Sequence, residues 1–344
     1  MSRKVQAKHS VHVANSKLGG ARSTKAQRKL IGDNFIDWCF GNNYVFNSIV
    51  DVTLEMLQAY FKSLQAEGVS TATQHNRLSA IRRAMKALRC DPNLRGITAK
   101  AVGIPPRSRS GTKMPMPDEL FESILAKAAE LNEPGFVIAL RLQRLVGHRG
   151  LESMMCVLDL EKYALESVDF LKVPVIRGTK GGRPRISVVI QNRSLETLET
   201  IHSALLYMRE HGGYLIVCGN SGLKSALAKY HRLAKKVGLV GKYAPHSLRY
   251  AYCVDKLIEL RDAGFNRKEA MAFAANFLGH GDSRARYVSM VYGKTVVHTL
   301  PVEKRKSRLD RAILNLDKLI SSQDVSFSQI SLAAPAENPH LNMR

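Results

Sequence analysis

The chain has 344 residues, with 52 Lys and Arg against 29 Asp and Glu and a formal net charge of +23. That length suggests about two domains, and so large a positive surplus repels basic partners and favours polyanions through counterion release, whether the polyanion is DNA or the RNA of a structural assembly. The five scattered cysteines (Cys39, Cys90, Cys156, Cys218, Cys253) form no CxxC or Cys/His cluster, and no apolar run reaches spanning length or makes a signal-peptide core, so a disulfide framework, a zinc site or other metal, and a membrane segment are not expected.

Residues 1–23 read as a basic, flexible arm. Met1 to Leu30 carries eight Lys or Arg and no acidic residue, and apolar periodicity is poor before about Ser23, as in a solvated tail that orders on a DNA backbone. Residues 24–104 carry helical patterns instead. Phe35 and Trp38 mark a helix over 24–40. Leu54, Leu57, Phe61 and Leu64 recur at helical spacing behind Thr53, a good N-cap. Leu78, Ile81, Met85 and Leu88 repeat the spacing after a break at Gly68-Val69-Ser70. A small all-α DNA-binding bundle is predicted. Arg77, Arg82, Arg83 and Lys86 fall off the last stripe and form either a phosphate-contacting face or a plain solvated one. Residues 105–115 are predicted to be a basic linker, with Pro105-Pro106 and the candidate DNA contacts Arg107 and Arg109.

A second domain is expected over 116–300. Pro117-Asp118-Glu119-Leu120 resembles a helix start, and Val137 to Val146 a buried helix. Strand-like runs follow at Met155 to Leu158, Val173 to Ile176 and Ile186 to Ile190. The last two flank the turn Gly178-Thr179-Lys180-Gly181-Gly182, and Arg183 and Arg185 are candidate DNA-facing charges of that hairpin. Helices are predicted at 195–209, 223–237, 247–260 and 267–277. The fold class is therefore mainly α with a small antiparallel sheet, α+β. Residues 301–344 form a C-terminal helix and tail, with Leu309, Ile313, Leu316 and Ile320 on one face.

Chemistry concentrates in Pro245-His246-Ser247-Leu248-Arg249 and Leu278-Gly279-His280, with tyrosines close behind. A guanidinium binds phosphate, imidazoles hydrogen-bond or move protons, and a phenol attacks, so together they can cut a phosphodiester without a metal. Arg149 and Glu152 stand three apart, a spacing that lets them pair.

In order and spacing these motifs resemble the tyrosine recombinase (phage integrase) family. Gly147-His148-Arg149-Gly150-Leu151-Glu152 is similar to the family's first-arginine motif, Lys180 to its hairpin lysine, His246 to Arg249 to its HxxR box, and Leu278 to His280 to its LGH box. The helical bundle resembles the core-binding domain, and residues 116–300 the catalytic domain. The resemblance implies catalytic roles for Arg149, Lys180, His246, Arg249, His280 and a tyrosine, with Glu152 behind the first arginine. The family places its tyrosine about nine residues after the LGH histidine, and here that position is Ser289. Tyr292 is the preferred nucleophile and Tyr287 the alternative. Five residues apart, they differ by about 140° on a helix and are not expected to face one phosphate together. Gly281 to Arg286 reads as a lengthened turn before the tyrosine helix.

The resemblance further implies double-stranded DNA as partner, a 3′-phosphotyrosine intermediate, a homotetramer on two sites, a Holliday junction, no cofactor, accessory bending or directionality factors, a mobile genetic element as context, and a nucleoid-associated cytoplasmic location. The C-terminal helix would dock on a neighbouring protomer or on its own domain. The competing readings are a non-catalytic architectural DNA-binding protein and a type IB topoisomerase or telomere resolvase.

Overall fold

A computed structural model of the chain describes residues 1–89, 94, 96–108, 112–155, 172–217 and 222–302, without the side chain of Asp282. Arg109, Cys90, Cys156, Cys218, the run at 156–158 and the expected C-terminal helix lie outside these residues. The chain divides into two compact units, Met1–Arg109 and Ser110–Arg344, within the stretch read as a linker.

The first unit is helical: α1 (Arg3–Lys17), α2 (Arg22–Gly41), α3 (Leu54–Ala66) and α4 (Thr71–Ala87). Thr53 caps α3 as expected, its side chain accepting from the Met56 amide. Leu57, Phe61, Leu64, Leu78, Ile81 and Met85 are buried around Phe35, Ile36 and Tyr60. The flexible arm is corrected, because residues 3–17 are a helix. Ser2 caps it, and Ala7, Val11 and Ala14 are buried. Its apolar stripe consists of two alanines and one valine, too small to stand out in hydropathy. It packs at close range on α2, where a Cβ on Gly32 would meet Val11 Cγ1 at 2.4 Å. The arm's surplus charge is partly spent within the unit, since Lys4 and Lys8 both pair with Asp37, at 2.8 and 2.7 Å.

The second unit contains α5 (Asp118–Glu130), α6 (Pro134–Leu145), α7 (Gly150–Met155), the strands β1 (Lys172–Val175) and β2 (Arg185–Val188), then α8 (Ser194–Glu210), α9 (Leu223–Lys236), α10 (His246–Asp262), α11 (Arg267–Phe277) and α12 (Ala285–Val291). The strands pair antiparallel, Val173 opposite Ser187 and Val175 opposite Arg185. Met155, expected to open a strand, ends α7 instead. One core joins α5, α6, α9 and α10 around Phe121, Phe136, Tyr230 and Leu248. Another joins α10, α11 and α12 around Leu257, Phe265, Met271 and Val288. These two cores share α10, which carries the HxxR residues.

Among the described residues, no group of three or more His, Cys, Asp or Glu is placed to hold a metal, and no helix is long and apolar enough to cross a membrane.

Candidate active site

The turn before α7 is built by Gly147, whose φ of +66° lies in the left-handed region that favours glycine. A Cβ there would lie 2.3 Å from the Tyr252 ring. Arg149 follows at once. Its guanidinium pairs with Glu152 Oε1, and its backbone N–H donates to Glu152 Oε2 at 2.7 Å. Arg249, at i+3 from His246 on the first turn of α10, is fully buried and donates to the carbonyls of Gly147 and Leu278.

The Leu278-Gly279-His280 box is a helix stop. Gly279 takes φ +64°, its N–H donates to the Asn276 carbonyl at 2.7 Å, and the His280 N–H donates to the Ala275 carbonyl at 2.7 Å. This is the Schellman closure of α11. It turns the last carbonyls of the helix toward the arginines: Leu278 accepts from Arg249 and, at 3.4 Å, from Arg149, while Phe277 accepts from Arg185 at 2.8 Å. The negative end of a helix dipole suits that cationic cluster.

At the centre lies Glu152, 0% exposed. It touches three guanidiniums: Arg149, Arg185 at 2.9 Å and Arg249 at 3.6 Å. Burial opposes its ionisation, but the charges of Arg185, Arg249 and Arg149 prevail and hold its carboxyl at about 2. Arg185 was read as a DNA-facing charge, and that reading is corrected. On β2, Arg185 and Ser187 point inward while Ile186 and Val188 are half-exposed, and the Arg185 guanidinium is committed to Glu152, Phe277 and, at 3.2 Å, the Gly147 carbonyl.

His246 Nε2 lies 3.0 Å from the Tyr292 hydroxyl. Tyr292 is 2% exposed and caps the end of α12, its ring 4.5 Å from that of Tyr250 and 5.5 Å from that of His280. Burial pushes its phenol up, with Arg249 pulling the other way. Burial, then the charges of Arg249 and Arg149, hold His246 down at about 4 and His280 at about 3, so both imidazoles are neutral at pH 7. Tyr287 is 39% exposed and sets its ring edge against His280, centroids 5.0 Å apart. Both tyrosine rings reach His280 and lie 6.1 Å apart. Helix geometry separates their Cα positions, but α12 ends at Val291 and the long phenol side chains converge. The lengthened turn holds one 3-10 turn, Asp282–Arg284.

The family model described as Integrase matches residues 103–255, through the first-arginine motif, the hairpin and the HxxR box. Over those residues the chain is similar to the integrase family. No curated protein matches the sequence. Its fold is shared by solved structures of low identity. The Tn1549 transposon integrase in complex with circular intermediate DNA is 14% identical over 89% of this chain and 98% of its own, with TM-score 0.53. Lambda integrase bound to DNA is 17% identical over 86% and 98%, with TM-score 0.55. The XerH site-specific recombinase bound to a palindromic difH substrate is 18% identical over 84% and 79%, with TM-score 0.51.

The fold thus brings Arg149, Glu152, His246, Arg249, His280 and Tyr292 into one cluster. Lys180 is exposed on the hairpin turn, as are Arg183 on the same hairpin and Arg83, Lys86 and Arg107 of the first unit. Arg77 is half-buried and donates to the Tyr60 hydroxyl at 3.1 Å. Arg82 is half-buried, with an unpartnered, buried Nε. His148, beside Arg149, is fully buried, and burial followed by the charge of Arg185 holds it at about 3. Sequence reading missed Arg185 and Tyr250 as members of the site. For Arg185 strand alternation misleads, because it groups Arg185 with Ser187 opposite the apolar Ile186 and Val188 and so reads as solvent-facing.

Proposed function

We propose that the chain is a tyrosine-type site-specific DNA recombinase of the integrase family, which cuts and rejoins duplex DNA through a 3′-phosphotyrosine link at Tyr292, without a metal. The observation that carries the reading is the 3.0 Å contact between His246 Nε2 and the Tyr292 hydroxyl, beside two arginines and a second imidazole. Neutral His246 takes the phenol proton as the Tyr292 oxygen attacks phosphorus. Arg149 and Arg249 hold the non-bridging oxygens, where planar donors match a charge that grows in the transition state. The His280 Nε2, buried and unpartnered, is a further donor to the phosphate. The P–O5′ bond breaks, its electron pair leaves with O5′, and Lys180 supplies the proton. A scissile phosphate also brings negative charge to His246, which offsets the arginines and makes the imidazole a stronger base. The new link keeps the phosphoester energy, so a 5′ hydroxyl from a second duplex can reverse the step.

On this reading four protomers on two sites exchange strands through a Holliday junction, in the manner of a mobile-element integrase acting at the nucleoid, with bending or directionality factors as further partners. Arg83, Lys86, Arg107, Arg109 and Arg183 are assigned to the phosphate backbone, and Arg77 and Arg82 support that face of α4. A duplex nicked near the cleavage point tests the chemistry. Covalent protein–DNA product in the presence of EDTA is expected. Tight binding with no covalent product at any metal concentration would leave an architectural DNA-binding protein.

A further inference from the structure

The hairpin that carries Lys180 packs closely on α7 at its entry and pairs with Glu152 at its exit. At its entry Gly178 takes φ +69° and sits against α7, where a Cβ would lie 2.7 Å from the Leu151 carbonyl oxygen and 3.0 Å from Glu152 Cα. At its exit Arg185 Nη1 meets Glu152 Oε1 at 2.9 Å. The same guanidinium reaches the Phe277 carbonyl at 2.8 Å and the Gly147 carbonyl at 3.2 Å. Gly279 makes room for it, since a Cβ there would stand 2.8 Å from Arg185 Cδ. Only residues 179–184 lie between the two anchors.

We propose that Arg185 is a positioning residue for Lys180: with Gly178, it ties the hairpin to Glu152 and so sets where the Lys180 ammonium stands relative to the phosphate bound by Arg149 and Arg249. The proposal rests on Lys180 as the leaving-group acid. Stability alone is a poor reason for this arginine. Taking a guanidinium out of water is costly, and an apolar side chain of similar size often serves a core as well or better. What a planar fork with two carbonyl acceptors and one carboxylate ion partner, from three segments, provides is geometry. The turn before Arg149, the carboxylate behind it and the end of α11 are all read by one side chain, and that side chain opens the strand leading back to Lys180. Misplacing a reacting group by about 1 Å costs on the order of 100-fold in rate.

The test compares single-turnover cleavage of two nicked duplexes by the full chain. One has an ordinary P–O5′ bond, the other sulfur in place of the bridging O5′. In the second the P–S bond breaks and sulfur leaves as a thiolate, which needs no proton. Lys180→Ala is expected to slow oxygen cleavage by about 100-fold or more and to be restored on sulfur. Arg185→Lys, which keeps a cation beside Glu152 but loses the fork, is expected to slow oxygen cleavage by about 100-fold and to return to within about five-fold of wild type on sulfur. Gly178→Ala perturbs the other anchor and is expected to behave alike, which covers the case in which Arg185→Lys does not fold. If Lys180→Ala is restored but the two anchor variants stay slow on sulfur, the anchors act through the phosphate arginines and the proposal fails. Wild-type speed of Arg185→Lys on oxygen also overturns it. If Lys180→Ala itself is not restored, the leaving-group role of Lys180 fails first and takes the proposal with it.

Discussion

Glu152→Gln removes one negative charge from a point where three guanidiniums converge and no solvent reaches. The carboxyl is 0% exposed and is held at about 2 instead of its ordinary 4.5. Through proton linkage that depression is equivalent to about 3 kcal/mol of stability at neutral pH. Breaking a buried ion pair by removing one partner costs about 3–5 kcal/mol, the same range. Because the folded pKa lies below the unfolded one, the contribution is complete above about 4.5 and is lost as pH falls toward about 2. The assay is urea unfolding followed by two signals. Far-UV circular dichroism reports all helices, whereas Trp38, the single tryptophan, reports only the Met1–Arg109 unit. Two units are expected to give separable transitions. Glu152→Gln should lower the stability of the second unit by about 3 kcal/mol and leave the Trp38 transition in place. The gap between variant and wild type should narrow as pH drops from 4.5. A loss below about 1 kcal/mol, or a gap that does not change with pH, would refute the claim that this carboxylate neutralises the arginine cluster.

Cleavage as kcat/KM should rise through about pH 4 with ionisation of His246 and show no step near 6.5; a step near 6.5 would mean that a different, unperturbed imidazole is the base. His148, His246 and His280 are all depressed to between about 3 and 4. Their neutral burial therefore contributes stability above 6.5 that declines as pH falls toward those values, and NMR titration should find none of the three protonating between about pH 5 and 8. Deleting residues 1–18 removes Ala7, Val11 and Ala14 and the Ser10 hydroxyl that accepts from the Ile49 amide at 2.8 Å. The Trp38 transition should weaken by about 2–5 kcal/mol, the scale of a large core truncation; an unchanged transition would restore the flexible arm.

The order of helices was legible because it rests on strong apolar periodicity, as in Leu57, Phe61 and Leu64. The LGH box was legible as a family motif, and the structure adds that its glycine takes the left-handed position that closes α11. What escaped was contact between segments far apart in sequence. Helix α1 was hidden because its buried stripe is alanine and valine, and its depth depends on Gly32 of another helix. Arg185 was hidden because a guanidinium on a hairpin reads as solvent-facing; only Glu152, 33 positions earlier, gives it a reason to turn inward. Tyr292 could be favoured but not separated from Tyr287 by spacing alone, since both rings reach His280 and what distinguishes Tyr292 is its hydrogen bond to His246.

The most direct test is to trap the covalent complex on a nicked duplex, digest it, and locate the nucleotide-bearing peptide by mass spectrometry. The account expects the adduct on Tyr292, with Tyr292→Phe binding DNA normally and forming none, and Tyr287→Phe still forming it. An adduct on Tyr287, or on neither tyrosine, would contradict it.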